Sequence, residues 1–397
     1  MNIKYLLAAP IAGAILSVSI TPATAGASAA QEKPVPITQV AGEKIANEYI
    51  FKTKEGLDPR QVASRLGIQP KHVYRGGSAR GFSATAAGKT LSSAQSRGDL
   101  IDSIVENSVV NATATQSTVD AGLWGLDRID QVSLPLNQTY QYTSTASGIH
   151  AYVVDSGIQS SHPQFGLFRT SNDFDINGTP AGTDCHGHGT HVAGIIGSST
   201  HGVAKSVRLH GIKVTPACSA GTSAANVMAG LDWILLNGKK PAVVNISMAG
   251  AFNLFLNQKA TDLVNAGYFV AAGAGNNGED SCSVSPASAV GVMNVAASDK
   301  TDKRMVNLDG VTSATGLCTA LYAPGHAIRS TYIGSQTATD SGTSMATAFV
   351  SGVAALRLKT NPTASSAYNW IMENAKPKIT NAPAFTTDLL LHKGPLL

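Results

Sequence analysis

Hydrophobic and polar positions follow two different rhythms along this chain. After a polar stretch at 31–42 comes a compact, mixed pattern. Residues 45–54 alternate like a strand, and 59–66 read as a short helix started by Asp58. Residues 82–86 look like another strand, 91–100 like a helix and 101–111 like a final strand. Strands and helices in that order predict a small α+β domain. It ends in a polar tract at 111–118, which reads as a linker or processing site.

From Leu123 onward the texture changes. Short runs of Val, Ile and Ala recur at 149–154, 206–214, 242–246, 268–272 and 290–296, each closed by Gly, Asp, Asn or Ser. Apolar runs without alternation predict strands buried on both faces of a parallel sheet. Helical patterns lie between them at 190–197, 223–236 and 254–265, and a long apolar one closes the series at 344–359. Strand and helix in alternation predict an α/β domain with a mostly parallel sheet and helices on both faces, a three-layer sandwich. Functional residues then belong at the carboxyl ends of the strands.

Composition adds three points. Lys4, an apolar run over 5–20 and the small residues Ala23-Thr24-Ala25 read as an export signal spanning 1–25. A membrane anchor needs roughly 20 unbroken apolar residues, and Pro10, Ser17 and Ser19 interrupt this run. The formal charge of +4 is spread without a basic block, which argues against nucleic acid or an anionic membrane as partner. The four cysteines, Cys185, Cys218, Cys282 and Cys318, predict two disulfides once the chain is exported, and spacing leaves all three pairings open.

Three residues stand where chemistry is expected. Asp155 closes the first strand of the α/β pattern. His188 lies in Gly-His-Gly-Thr-His and Ser344 in Gly-Thr-Ser-Met-Ala, each at a helix start. A serine hydroxyl is a weak nucleophile at neutral pH, so an imidazole must take its proton. A buried carboxylate then fixes the imidazole tautomer and stabilises the imidazolium. Two other chemistries compete. Residues 273–278 match the spacing of a dinucleotide-binding loop with Asp299 downstream, but 279–291 lack the helix that such a loop requires. Cys185, His186, His188 and His191 offer four zinc ligands, but two intervening glycines would leave that site floppy.

Acid, base and nucleophile in this order resemble the subtilisin-like serine proteases, in particular their proteinase K and aqualysin branch. Trp124-Gly-Leu-Asp-Arg-Ile-Asp130 and Gly202-Val-Ala-Lys205 match that branch. The resemblance implies a secreted, extracellular or periplasmic, serine endopeptidase that acts on polypeptides, works as a monomer and needs no cofactor for catalysis. It implies an inhibitory propeptide domain over 26–113 and a catalytic domain over 114–397, with self-cleavage after Thr113 leaving 109–113 bound as product. The propeptide would act as an intramolecular inhibitor, and no membrane partner remains once the signal is removed.

The same comparison assigns Asn276 as side-chain donor to the oxyanion. Ser247-Met248-Ala249 and Gly273-Ala274-Gly275 become the walls of the primary specificity pocket. Gly221 and Thr222 fall in an edge strand, 218–223, that would pair with extended substrate. The cysteines would pair in sequence order, and His191 would be a helix residue packed near the base.

Three departures from the family pattern carry expectations. Ala249 replaces a glycine of the pocket wall and favours smaller or more flexible residues before the scissile bond. Ala348-Phe349 replaces a Pro-His pair in the nucleophile helix, which relaxes the turn under Ser344 and predicts slower hydrolysis. Ala320 stands where the family carries a calcium-ligating Asp, so one structural calcium site is expected to be lost.

Overall fold

A computed structural model of the chain describes residues 33–39, 44–75, 80–108, 114–178, 183–219 and 221–395. The expected signal at 1–25 and the product segment 109–113 lie outside the described residues. The chain divides into two compact units, one within 1–40 and 46–107, the other within 41–45 and 108–397.

In the smaller unit β1 (Ile37–Thr38), β2 (Lys44–Thr53), α1 (Pro59–Arg65), β3 (His72–Tyr74), β4 (Gly81–Thr85), α2 (Gly88–Gln95) and β5 (Ile101–Ser108) follow in turn. The strands form one sheet in the order β1-β5-β2-β4-β3. Asp58 starts α1 by accepting from the amides of Arg60 and Gln61 at 2.9 and 3.2 Å. Phe51 and Phe82 stack with ring centres 4.9 Å apart, in a core shared with Val62, Ala94 and Ile104. The helix expected at 91–100 starts and ends earlier, because the chain turns at 97–100, where the Leu100 amide reaches the Arg97 carbonyl. The strands β1 and β3, two and three residues long, are too short to show a period in sequence.

The larger unit opens with β6 (Ala114–Ser117), α3 (Trp124–Asp130), β7 (Thr139–Tyr142), β8 (His150–Asp155) and β9 (Thr170–Asp175). It continues through α4 (His188–Gly197), β10 (Arg208–Lys213), α5 (Ala224–Asn237), β11 (Ala242–Ile246), β12 (Gly250–Ala251), α6 (Leu254–Asn265), β13 (Phe269–Gly273) and β14 (Val284–Ser285). Then come β15 (Met293–Ser298), β16 (Leu321–Pro324), β17 (Ile328–Tyr332), β18 (Gln336–Asp340), α7 (Thr343–Thr360), α8 (Ala364–Asn374), β19 (Lys376–Pro377) and β20 (Leu389–Leu390). Nine strands form one sheet in the order β19-β20-β16-β15-β13-β11-β8-β10-β9, parallel throughout except for β19 against β20.

The apolar runs are explained by burial of the sheet on both sides. On β8, Ala151 and Val153 face a core built with Val192, Ile195 and Ile196 of α4 and Val350 and Val353 of α7. Tyr152 and Val154 face the opposite core, with Leu231 and Ile234 of α5 and Leu263 of α6. Successive side chains point to opposite faces of a strand, so β8 must be apolar at every step. The expected three-layer α/β fold is present. The segment expected as a linker differs: residues 114–117 are β6, paired antiparallel with β7 from Ala114↔Tyr142 to Ser117↔Thr139. The polar residues there satisfy a surface ladder, which has no hydrophobic signature.

One buried ion pair ties α3 to the loop after β15. Arg128 donates to Asp302 from Nε at 2.6 Å and from Nη2 at 3.0 Å, with the arginine side chain 2% exposed. Removing one partner strands a charge in the interior. Asp302→Ala is expected to cost about 3–5 kcal/mol in chemical denaturation, and adding Arg128→Met should recover part of that loss.

Candidate active site

The chain places β9 and β10 on one side of β8 and then crosses to place β11 on the other. That reversal opens a crevice at the carboxyl end of β8. Asp155 stands there, its side chain fully buried. Its Oδ1 accepts from the Ser156 amide at 2.7 Å and from His188 Nδ1 at 2.8 Å. Its Oδ2 is buried without a partner among the described residues, so the carboxylate's demand for a cation falls on the imidazole.

His188 is fixed by a residue the sequence reading missed. Asp184 Oδ1 accepts from Ser156 Oγ at 2.9 Å and from the amides of His186 and Gly187 at 3.0 and 2.8 Å. Its Oδ2 accepts from the Thr190 amide and hydroxyl at 2.9 and 2.6 Å. Ser156 Oγ in turn accepts from the Gly189 amide at 2.9 Å. A buried carboxylate at this end of a helix satisfies amides that have no partner within it and complements the helix dipole. The signal was an Asp just ahead of a helix start that has no other side-chain cap. His191, one turn along, donates from Nε2 to the carbonyls of Ile328 and Ala338, both at 3.1 Å, and so holds the β17–β18 hairpin. Burial brings its pKa down to about 4, which keeps that ring neutral.

Burial also favours the neutral form of His188, but the charge and hydrogen bond of Asp155 oppose it, helped by Asp340 and Asp184. The net effect raises the ring to about 9. The stabilisation from this pair is therefore fully present below the ordinary imidazole value and is lost as pH rises through about 9.

Ser344 opens α7, and its hydroxyl donates to the Ser247 carbonyl at a long 3.4 Å, while Ser247 Oγ donates to the Ser344 carbonyl at 3.2 Å. Among the described residues no hydrogen bond joins Ser344 to His188. Asn276 has one orientation compatible with its partners, because Oδ1 accepts from the Thr343 amide and hydroxyl, both at 3.0 Å. That leaves Nδ2 without a partner among the described residues.

Ser344, Asn276, Ser247, Met248, Ala249 and Gly273 line one cavity of about 520 Å³. Two expected wall residues do not line it. Ala274 turns its methyl into a core cluster with Ala296 and Tyr322, and Gly275 stands behind the side chain of Glu279. The segment expected to offer an edge for substrate forms no ladder among the described residues. Gly221 turns its amide to Ser219 Oγ at 3.1 Å, and Thr222 bonds the Val214 carbonyl through its hydroxyl.

The disulfides join Cys185 to Cys218 and Cys282 to Cys318, in sequence order. Among the described residues no group of three or more His, Cys, Asp or Glu side chains is arranged to hold a metal ion.

Comparison with known proteins settles the family. The Subtilase family pattern (peptidase S8) matches residues 146–388. The chain belongs to the subtilase family. It is 44% identical over 290 residues to an extracellular serine proteinase of Thermus sp. (strain Rt41A), covering 71% of this chain and 68% of that protein. It is 33% identical over 394 residues to proteinase R of Parengyodontium album, covering 96% and 97% of the two chains. A solved cold adapted subtilisin-like serine proteinase superposes with a TM-score of 0.65 at 36% identity, over 68% of this chain and 98% of that one. This subtilase is a serine endopeptidase, built on the subtilisin-like three-layer fold and needing no cofactor for catalysis.

The ionisation of its imidazole is directly measurable. In an NMR titration the His188 ring should change protonation well above pH 6.5, the ordinary imidazole value. In Asp155→Asn that midpoint should fall, because burial then acts without its opposing charge.

Proposed function

We propose that Asp155, His188 and Ser344 form the catalytic triad of a secreted serine endopeptidase made as a self-processing zymogen. The observation that carries this reading is the buried Asp155–His188 pair at the carboxyl end of β8, beside the parallel strand β11, whose next residue Ser247 lines the cavity holding Ser344 and Asn276. The 3.4 Å bond of Ser344 to Ser247 is weak enough to be given up as the hydroxyl turns to His188. His188 then takes the serine proton through Nε2 while Asp155 holds Nδ1–H. Ser344 Oγ bonds to the scissile carbonyl carbon, and the carbonyl oxygen takes up negative charge. Asn276 Nδ2 and the Ser344 amide donate to that oxygen, and one such donor contributes about 10²–10³-fold in turnover in a subtilisin. His188 returns the proton to the leaving amine, and water releases the acyl group by the same steps in reverse order of roles.

The chain is read as a signal over 1–25, an inhibitory propeptide over 26–113 and a catalytic domain over 114–397 that works as a monomer on polypeptides. The separate fold of the smaller unit supports this division. So does the solved relative, 98% of which is matched by 68% of this chain. Secretion agrees with the printed name of the Thermus relative. No described helix is long and apolar enough to cross a membrane. One calcium site of the family is lost at Ala320, whose methyl offers no oxygen to a hard cation.

Mass spectrometry of wild type beside Ser344→Ala tests the whole reading. The wild type should yield a mature chain beginning at Ala114, with a serine-directed phosphonate attached at Ser344. The variant should stay full length and unlabelled. A variant that is still cleaved at this site would refute self-processing.

The nucleophile helix gives a second test. Ala348 is fully buried one turn after Ser344, and the neighbouring Phe349 ring packs where a Cβ on Gly125 would come within 2.4 Å of it. Proline at 348 would remove an amide without orphaning the Ser344 carbonyl, which keeps its bond from Ser247 Oγ. Ala348→Pro should raise kcat, by up to about 10²-fold if the serine is about 1 Å out of place. An unchanged or lower kcat would refute the idea that the relaxed turn limits hydrolysis.

A further inference from the structure

Among the described residues lining the cavity beside Ser344, Glu279 is the one ionisable side chain. Its Oε2 accepts from the Asn277 amide at 2.7 Å. Its Oε1 has no hydrogen-bond or ion-pair partner among the described residues. That oxygen lies against Gly275, where a Cβ would come within 2.1 Å of it and where φ of +114° suits glycine alone. Among the described residues no lysine, arginine or histidine lines the cavity to balance the charge. Glu279 is half-buried and its Oε1 is open to the cleft, so the carboxylate is free to receive a hydrogen-bonding cation. Met248, Ala249 and Val284, from the same lining, supply apolar surface in the same cavity. A slim hydrocarbon stem carrying a terminal cation matches both features.

We propose that Glu279 is the specificity-determining residue of the primary pocket and selects peptides with lysine or arginine before the scissile bond. This rests on the reading of Ser344 as nucleophile and of its cavity as the primary pocket. The Ala249 methyl narrows the pocket against broad aromatic rings and leaves passage for an unbranched stem, the flexible kind of residue that its replacement of glycine predicts. Self-cleavage after Thr113 is compatible with such a pocket. An intramolecular substrate is held at the site by its own chain and depends less on side-chain fit.

The test is kcat/KM on a peptide series that differs only before the scissile bond, with Lys, Arg, Leu, Phe or Glu there. Wild type should cleave after Lys and Arg about 10²-fold faster than after Leu or Phe. Glu279→Gln keeps an acceptor for the Asn277 amide but removes the charge, and its Lys-to-Leu ratio should fall towards one. The ratio is read within one preparation, so a smaller folded fraction cancels. Glu279→Lys should reverse the order and favour Glu. A wild type that cleaves fastest after Leu or Phe, or a Glu279→Gln enzyme with an unaltered ratio, would overturn the proposal. Failure of the underlying reading looks different: no peptide would be cleaved and no phosphonate would attach to Ser344, which overturns both.

Discussion

Everything at this site depends on how the first turn of α4 is held against the end of β8. Asp184 does this with five hydrogen bonds, four of them to groups of the helix start and one to Ser156, the neighbour of Asp155. Helix starts carry amides that no carbonyl within the helix can satisfy. A buried carboxylate that meets several of them leaves the helix little freedom to slide or rotate. His188 is thereby held where its ring Nδ1 meets Asp155 at 2.8 Å. The Cys185–Cys218 bridge attaches to the very next residue after Asp184 and restrains the same loop from outside.

The electrostatics follow from that rigidity. Asp155, Asp184 and Asp340 all raise the ionisation of His188, and burial opposes them. His191, one turn away, lacks a carboxylate at hydrogen-bonding distance and stays neutral. Two histidines of one helix thus take opposite roles. One is held ready to be protonated by the carboxylates around it, and the other acts as a fixed donor that pins the hairpin leading into Ser344.

Much of this was legible in sequence, and the parts that were not share a cause. Strands buried on both faces, such as β8 and β11, show as unbroken apolar runs, and their ends locate Asp155 directly. The helix over 254–265 starts at a capping Asn253 and has an apolar face, and the one over 343–360 shows as a long, largely apolar run because it is buried nearly all round. Short ladders such as β6–β7 and β17–β18 are polar or mixed in composition and resemble loops. The roles of Asp184 and Glu279 depend on which oxygens meet amides and which face a cavity, and a carboxylate's spacing along the chain does not encode that. Of the stretch expected as a wall at 273–275, Gly273 borders the cavity. Its two later members turned away because the strand ends at Gly273 and the next residue, Ala274, turns back into the core.

The contact between Phe349 and Gly125 couples two positions that are remote in the chain. The ring of Phe349 fills the space in which any side chain at 125 would have to lie. Enlarging residue 125 demands a smaller partner on α7, and shrinking residue 349 leaves a hole beneath α3. Neither position can drift alone. In chimeras with other subtilases, α3 and α7 form one unit of exchange and should be transplanted together.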